Sequence, residues 1–166
     1  LNSTGSYNAA FGAIALSGNT TGSGNTSMGE ASSVDNTSGN NNVSIGSGSL
    51  YSNKGNHRST AIGFGAMRNA HDQEAGADTY NTALGAEALR GSNTPAANTG
   101  TANTALGSVA LYSNSTGAGN TAAGKAALTF NTTGSNNTVM GMDAATNNTT
   151  GYENVAIGAN ALKYNT

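Results

Sequence analysis

The pattern Asn (once Ser), small, small, apolar, Gly recurs nine times in this chain, with its glycines at Gly12, Gly29, Gly46, Gly63, Gly85, Gly107, Gly124, Gly141 and Gly158. The step between them is 17 residues, except for two consecutive steps of 22 that follow Gly63 and Gly85. A register held that closely over 166 residues means a stacked array in which each unit is one coil touching only its neighbours. Units begin near residues 8, 25, 42, 59, 81, 103, 120, 137 and 154, giving a single array over 1–166 with enlarged coils at 59–80 and 81–102.

Helical coils are excluded by local chemistry. Most units hold two or more Gly together with Thr and several Asn, each of which disfavours a helix by about 0.5 to 1 kcal/mol relative to Ala. A conventional globular core is excluded as well, because charged residues make up 8% and aromatics 5% of the chain, against a usual charged share of roughly 25%. Disorder fits poorly, since the chain has one Pro and a net charge of only −2. With six Lys and Arg scattered along the chain, it lacks the basic footprint of a nucleic-acid or anionic-membrane binder. No apolar run approaches the roughly 20 residues that span a bilayer. The absence of Cys removes disulfides and thiolate metal sites. The chain opens at Leu1 without a signal-like segment and is expected to be a portion of something longer.

The expected class is therefore all-β, a repeat β-solenoid of about nine coils of 17 residues. Within a coil the sequence predicts two short strands, over 103–106 and 108–112 in the sixth unit, and a turn at 114–117 where Asn and Gly supply positive φ. Asn opens eight of the nine units (Asn8, Asn25, Asn42, Asn81, Asn103, Asn120, Asn137, Asn154), with Ser59 the exception. Stacking turns this column into an amide ladder along the axis.

Two columns of larger apolar residues accompany it. One contains Phe11, Ile45, Ile62, Leu84, Leu106, Met140 and Ile157; the other contains Leu16, Leu50, Met67, Leu89, Leu111, Leu128 and Leu162. Columns of Ala beside them are small enough to lie inside a flattened coil, and the large residues are expected to face elsewhere. Two large side chains per coil are too few to offset the entropy of ordering 17 residues, so chains are expected to share a core lined by the apolar columns.

Units reading NTALGxxAL and NVAIGANAL, at Asn81, Asn103 and Asn154, resemble the head repeats of trimeric autotransporter adhesins and the related repeats of bacteriophage tail-fibre proteins. The likeness covers the whole chain. It implies a left-handed parallel β-roll and an intertwined or side-by-side homotrimer, and it brings no catalytic motif. The adhesin heads often use a shorter repeat, so the 17-residue form leans towards the fibre-protein variant.

The candidate recognition residues lie in and beside the two insertions, 69–78 and 91–100, which belong to adjacent coils and should protrude side by side: Arg68, His71, Asp72, Glu74, Asp78, Arg90, Asn93 and Asn98. Loops on a rigid scaffold commonly carry recognition. Arg68 and Arg90 occupy equivalent positions and should form a small basic rim. His71, Asp72, Glu74 and Asp78 are the one concentrated run of ionisable groups; they are either a solvated loop or donors for a divalent cation, without a recognised Ca²⁺-loop spacing. Nothing resembles a nucleophile elbow, HExxH or a phosphate loop, and no cofactor or enzymatic activity is expected.

The sequence thus points to an extracellular, non-enzymatic fibre or adhesin segment, at a cell surface or on a virion tail fibre. It is expected to form a trimeric rod that presents, or performs, attachment to a surface receptor or glycan. A purely structural spacer or filament subunit is one alternative. Another is an ice-binding solenoid using the Thr column Thr60, Thr82, Thr104, Thr121 and Thr138, which is interrupted at Ala9, Val43 and Val155.

Overall fold

In the computed structural model, which describes residues 2–73 and 75–165, the chain is a parallel β-solenoid. Each coil contributes one three-residue strand: β1 Ala9–Phe11, β2 Thr26–Met28, β3 Val43–Ile45, β4 Thr60–Ile62, β5 Thr82–Leu84, β6 Thr104–Leu106, β7 Thr121–Ala123, β8 Thr138–Met140 and β9 Val155–Ile157. They form a single nine-stranded sheet in chain order. The register is set by the repeat, so Thr104 pairs with Thr121, Ala105 with Ala122 and Leu106 with Ala123. The enlarged coils do not disturb it: Thr60, Ala61 and Ile62 pair with Thr82, Ala83 and Leu84. One 3-10 turn, Pro95–Ala97, is the helical element among the described residues, and no helix there is long and apolar enough to cross a membrane.

The second strand expected over 108–112 is absent. Every second residue on that side has positive φ: Gly107 at 130°, Val109 at 54° and Leu111 at 51°. A strand cannot form there, yet the backbone still bonds from coil to coil. Val109 N–H donates back to the Ala86 carbonyl (2.9 Å) and Leu111 N–H forward to that of Ala127 (3.0 Å).

The left-handed backbone also moves the leucine column inside the coil. Leu50, Leu111 and Leu128 are fully buried, against the expectation that both large columns face outward. They pack against the Ala columns, including Ala105, Ala110, Ala122 and Ala127. A left-handed conformation costs a side-chain-bearing residue about 1 to 2 kcal/mol, and burying a leucine returns about 1.5 to 3 kcal/mol. The exchange is favourable only because the neighbouring coil is present. In the second and third coils Ser replaces Ala, and the interior stays satisfied: Ser44 Oγ donates to the Ser49 carbonyl (2.9 Å), and Ser27 pairs likewise with Ser32.

The other apolar column remains outside. Phe11, Leu84, Leu106, Met140 and Ile157 are exposed on the outer face of the sheet, Phe11 and Ile157 by more than two thirds, and Ile45 and Ile62 are half-buried. Strand alternation accounts for this, since the middle residue of each strand from β2 to β9 points inward and its neighbours do not.

The opening Asn column is a ladder of a particular kind. Asn120 Oδ1 accepts the backbone N–H of Asn137 (3.0 Å), while its Nδ2 crosses the coil to the Gly134 carbonyl (2.8 Å) and also reaches Asn103 Oδ1 (3.2 Å). From Asn8 to Asn137 each amide thus joins two coils and closes its own. Ser59 keeps the backbone half of this scheme, its N–H donating to Asn42 Oδ1 (2.9 Å). A second, unanticipated Asn ladder runs along the turns. Asn19, Asn36 and Asn53 each donate to the Asn 17 residues earlier, as do Asn131, Asn148 and Asn165.

Candidate recognition site on the enlarged coils

The second Asn ladder stops at the enlarged coils. Its positions there are Ala70 and Ser92, neither of which can continue the chain of amides. As a result Asn53 Oδ1, in a residue only 1% exposed, has no hydrogen-bond partner. The backbone at the gap is regular: Ala70 N–H donates to the Met67 carbonyl (3.0 Å) just as Asn114 N–H donates to that of Leu111 (3.1 Å). Ala70→Asn should therefore give Asn53 a donor and raise stability by about 1 kcal/mol, read as a higher urea midpoint with unchanged slope. A lower midpoint would mean that the gap is not a missing rung.

The two insertions do lie side by side, and both are tied down. Asn69 N–H donates to the Arg90 carbonyl (2.9 Å) and Asn69 Nδ2 to that of Ser92 (3.0 Å). Asn98 acts as a clasp: its Oδ1 accepts from Ser92 N–H and Oγ (both 2.9 Å), and its Nδ2 donates across to the Asn69 carbonyl (2.5 Å). Gly91, at φ 85°, makes room for it, because a Cβ there would lie 2.6 Å from Asn98 Nδ2. The first insertion is anchored by Asn56, whose Oδ1 accepts from Ala77 N–H (3.1 Å) and whose Nδ2 donates to the His71 carbonyl (3.3 Å).

The candidate residues separate accordingly. Asn98 is a half-buried structural clasp, whereas Asn93 is exposed at the tip of the second insertion. Asp78 is taken up by Arg58 of the preceding coil (2.8 Å) and by the Tyr80 hydroxyl (3.2 Å), with Arg58 stacked 5.5 Å from the Tyr80 ring. Both partners of that ion pair are well exposed, so it contributes little to stability. His71 and Asp72 are half-buried. Glu74 lies outside the described residues, and among those described no three His, Asp or Glu side chains gather into a set able to hold a metal ion.

Arg68 and Arg90 do not make a joint rim. Arg68 turns back onto the Tyr51 ring (5.0 Å) and Arg90 forward onto that of Tyr112 (5.1 Å), where its Nη1 also donates to the hydroxyl (2.6 Å). Like charges on adjacent coils diverge, each towards an aromatic face. Sequence reasoning missed Arg58, His57 and the gap at Ala70. The gap was detectable as an Asn missing from the column Asn19, Asn36, Asn53, Asn114, Asn131 and Asn148.

A cavity of about 30 Å³ opens between the insertions, walled by Ala70, His71, Thr79, Arg90, Asn98 and Asn114 among others. Arg90 and His71 are the ionisable residues that line it. A shallower depression of about 250 Å³ lies beside His57, Arg58 and Asp78. The chain matches no family model, no curated protein and no solved structure.

Proposed function

We propose that this chain is a non-enzymatic segment of an extracellular fibre or adhesin. Several copies, three by the resemblance noted in the sequence, associate through the exposed apolar face of the sheet into a rigid rod, and the enlarged coils on its flank make the attachment to a cell-surface receptor or glycan. The observation that carries the attachment role is the confinement of irregularity. The repeat departs from its period only at 59–102, and there the two added loops are clasped to each other and to the scaffold rather than left loose.

The mechanism is reach combined with multivalency. A coil rise of about 4.8 Å puts nine coils at about 43 Å, and identical surfaces repeated around one rod raise the effective concentration for a surface without new chemistry. A cell surface or a virion tail fibre would both use such a part. The Thr60, Thr82, Thr104, Thr121 and Thr138 column that would favour ice binding is exposed only at Thr121 and Thr138, and it runs beside side chains as different in size as Ala123 and Met140, which spoils a flat face.

Deleting 72–76 and 93–97 together returns both enlarged coils to 17 residues. The shortened protein should keep its fold and association while binding to receptor-bearing cells or a glycan array falls at least about tenfold, the loss of one decade being about 1.4 kcal/mol. Undiminished binding would place attachment elsewhere on the rod, and absence of binding by the intact protein would favour a spacer.

A further inference from the structure

We infer that the depression beside Arg58 and Asp78 seats one uncharged hexose unit of a surface glycan, its neighbouring ring hydroxyls shared between that ion pair and His57. This assigns a ligand chemistry to the attachment role proposed above and rests on it.

The depression is opened by two neighbours in one column that lean apart. Asn41 tips back over Gly24, so that its Oδ1 would lie 2.5 Å from a Cβ added there. Arg58, one coil later, leans forward onto the Tyr80 ring (5.5 Å). The space of about 250 Å³ left between them is lined by both, by Ser23, Asn40 and His57, and by Asp78, the closing residue of the first insertion. It falls just short of the roughly 300 to 1,000 Å³ of sites that enclose a drug-sized ligand, and so suits a single sugar ring. The cavity between the insertions, at about 30 Å³, has room only for a water-sized group.

The lining is fixed before any ligand arrives. Ser23 N–H donates to Asn40 Oδ1 (2.7 Å), and Asn40 N–H donates to His57 Nδ1 (3.0 Å). An imidazole that accepts at Nδ1 carries its proton on Nε2, which is thereby a donor. Ala77 and Thr79, on either side of Asp78, are bonded to the His57 backbone (2.9 and 3.1 Å), so the insertion itself sets the carboxylate.

Arg58 Nη1 and the Tyr80 hydroxyl both donate to Asp78 Oδ2 (2.8 and 3.2 Å). Oδ1 keeps its lone pairs, and the guanidinium keeps its Nε and Nη2 protons, for hydroxyls that donate as well as accept. Such bonds to ionised partners are charge-assisted. Because the two charges cancel, an uncharged ligand is favoured: an anion meets Asp78 and a cation meets Arg58.

The test titrates the intact protein with the methyl glycosides of galactose, glucose and mannose, following the His57 ring and Arg58 Nε–H resonances by NMR. The titration runs to about 50 mM, well above a Kd of about 1 mM. At least one hexoside should shift both sets of resonances saturably. Its per-O-methylated form, which lacks hydroxyl donors, should not, and the matching uronate should bind more weakly. Asp78→Ala should weaken binding at least about tenfold. Asn41→Gly should weaken it severalfold and keep the fold, since this position has positive φ (56°) and is Gly24 or Gly119 in other coils. Thermal midpoints establish that both variants are folded. No saturable shift with any hexoside, tighter binding of the uronate, or unchanged affinity in Asp78→Ala overturns the assignment while leaving attachment by the enlarged coils standing. Failure of the intact protein to bind hexosides, cells and glycan arrays alike overturns both.

Discussion

Gly124→Ala should break the array at its seventh coil, with a loss of several kcal/mol, on the order of 3 or more, and in practice little folded protein. Gly124 has φ 141°, outside the regions open to side-chain-bearing residues. A Cβ there would also lie 2.5 Å from the Gly141 carbonyl oxygen and 2.6 Å from its carbon. Both contacts are with backbone already fixed by the coil stacking, so nothing flexible can give way. Gly158→Ala is the informative control. It has a similar φ of 121° but nothing within 4 Å of the added methyl, so it carries the conformational penalty alone. Circular dichroism and urea unfolding should find Gly158→Ala clearly less damaging. Equal losses would mean that backbone conformation, and not close stacking, selects glycine in this column.

Asn120→Ala should cost about 3 to 5 kcal/mol, a large fraction of the stability of a chain this size. The side chain is fully buried, and its removal leaves the Asn137 N–H without its acceptor and takes from the Gly134 carbonyl one of its two amide donors, the other being Asn131 Nδ2 (2.9 Å). A substitution at an exposed sheet position, such as Thr121→Ser, should change stability by less than about 0.5 kcal/mol. If Asn120→Ala proved as mild as that, the amide columns would be consequences of stacking and not one of its causes.

These two columns were legible in the sequence for the reason that they matter to the fold: a residue type repeated at a fixed interval is already aligned in space once the coils stack. The inward Ala columns were legible on the same ground. The leucine column was visible as a column but not in its direction. Nothing in Leu111 itself announces a φ of 51°; the adjacent coils impose it by supplying a backbone partner and a buried place for the side chain. The missing second strand follows from the same override.

At the candidate site the sequence located the insertions, and the structure redistributed their residues. Asp78 seemed part of an acidic cluster because its neighbours in sequence are acidic, whereas its partner, Arg58, is 20 residues earlier and one coil away. Arg68 and Arg90 share a column, yet the tyrosines on the outer side of each pull them apart. Asn98 stands in the sequence as one more polar residue of the second insertion and is a clasp in space because Ser92 and Asn69 converge on it.

The outer face of the sheet bears most directly on the whole account. Phe11, Leu84, Leu106, Met140 and Ile157 are exposed along one face of the sheet, and the proposed assembly makes that face an interface between chains. Sedimentation equilibrium over a wide range of concentration, paired with circular dichroism on the same samples, measures whether it is one. The account predicts a folded homo-oligomer, three chains by the resemblance, that Leu84→Asp with Leu106→Asp dissociates. A folded, soluble monomer of the unaltered chain at every concentration would contradict it.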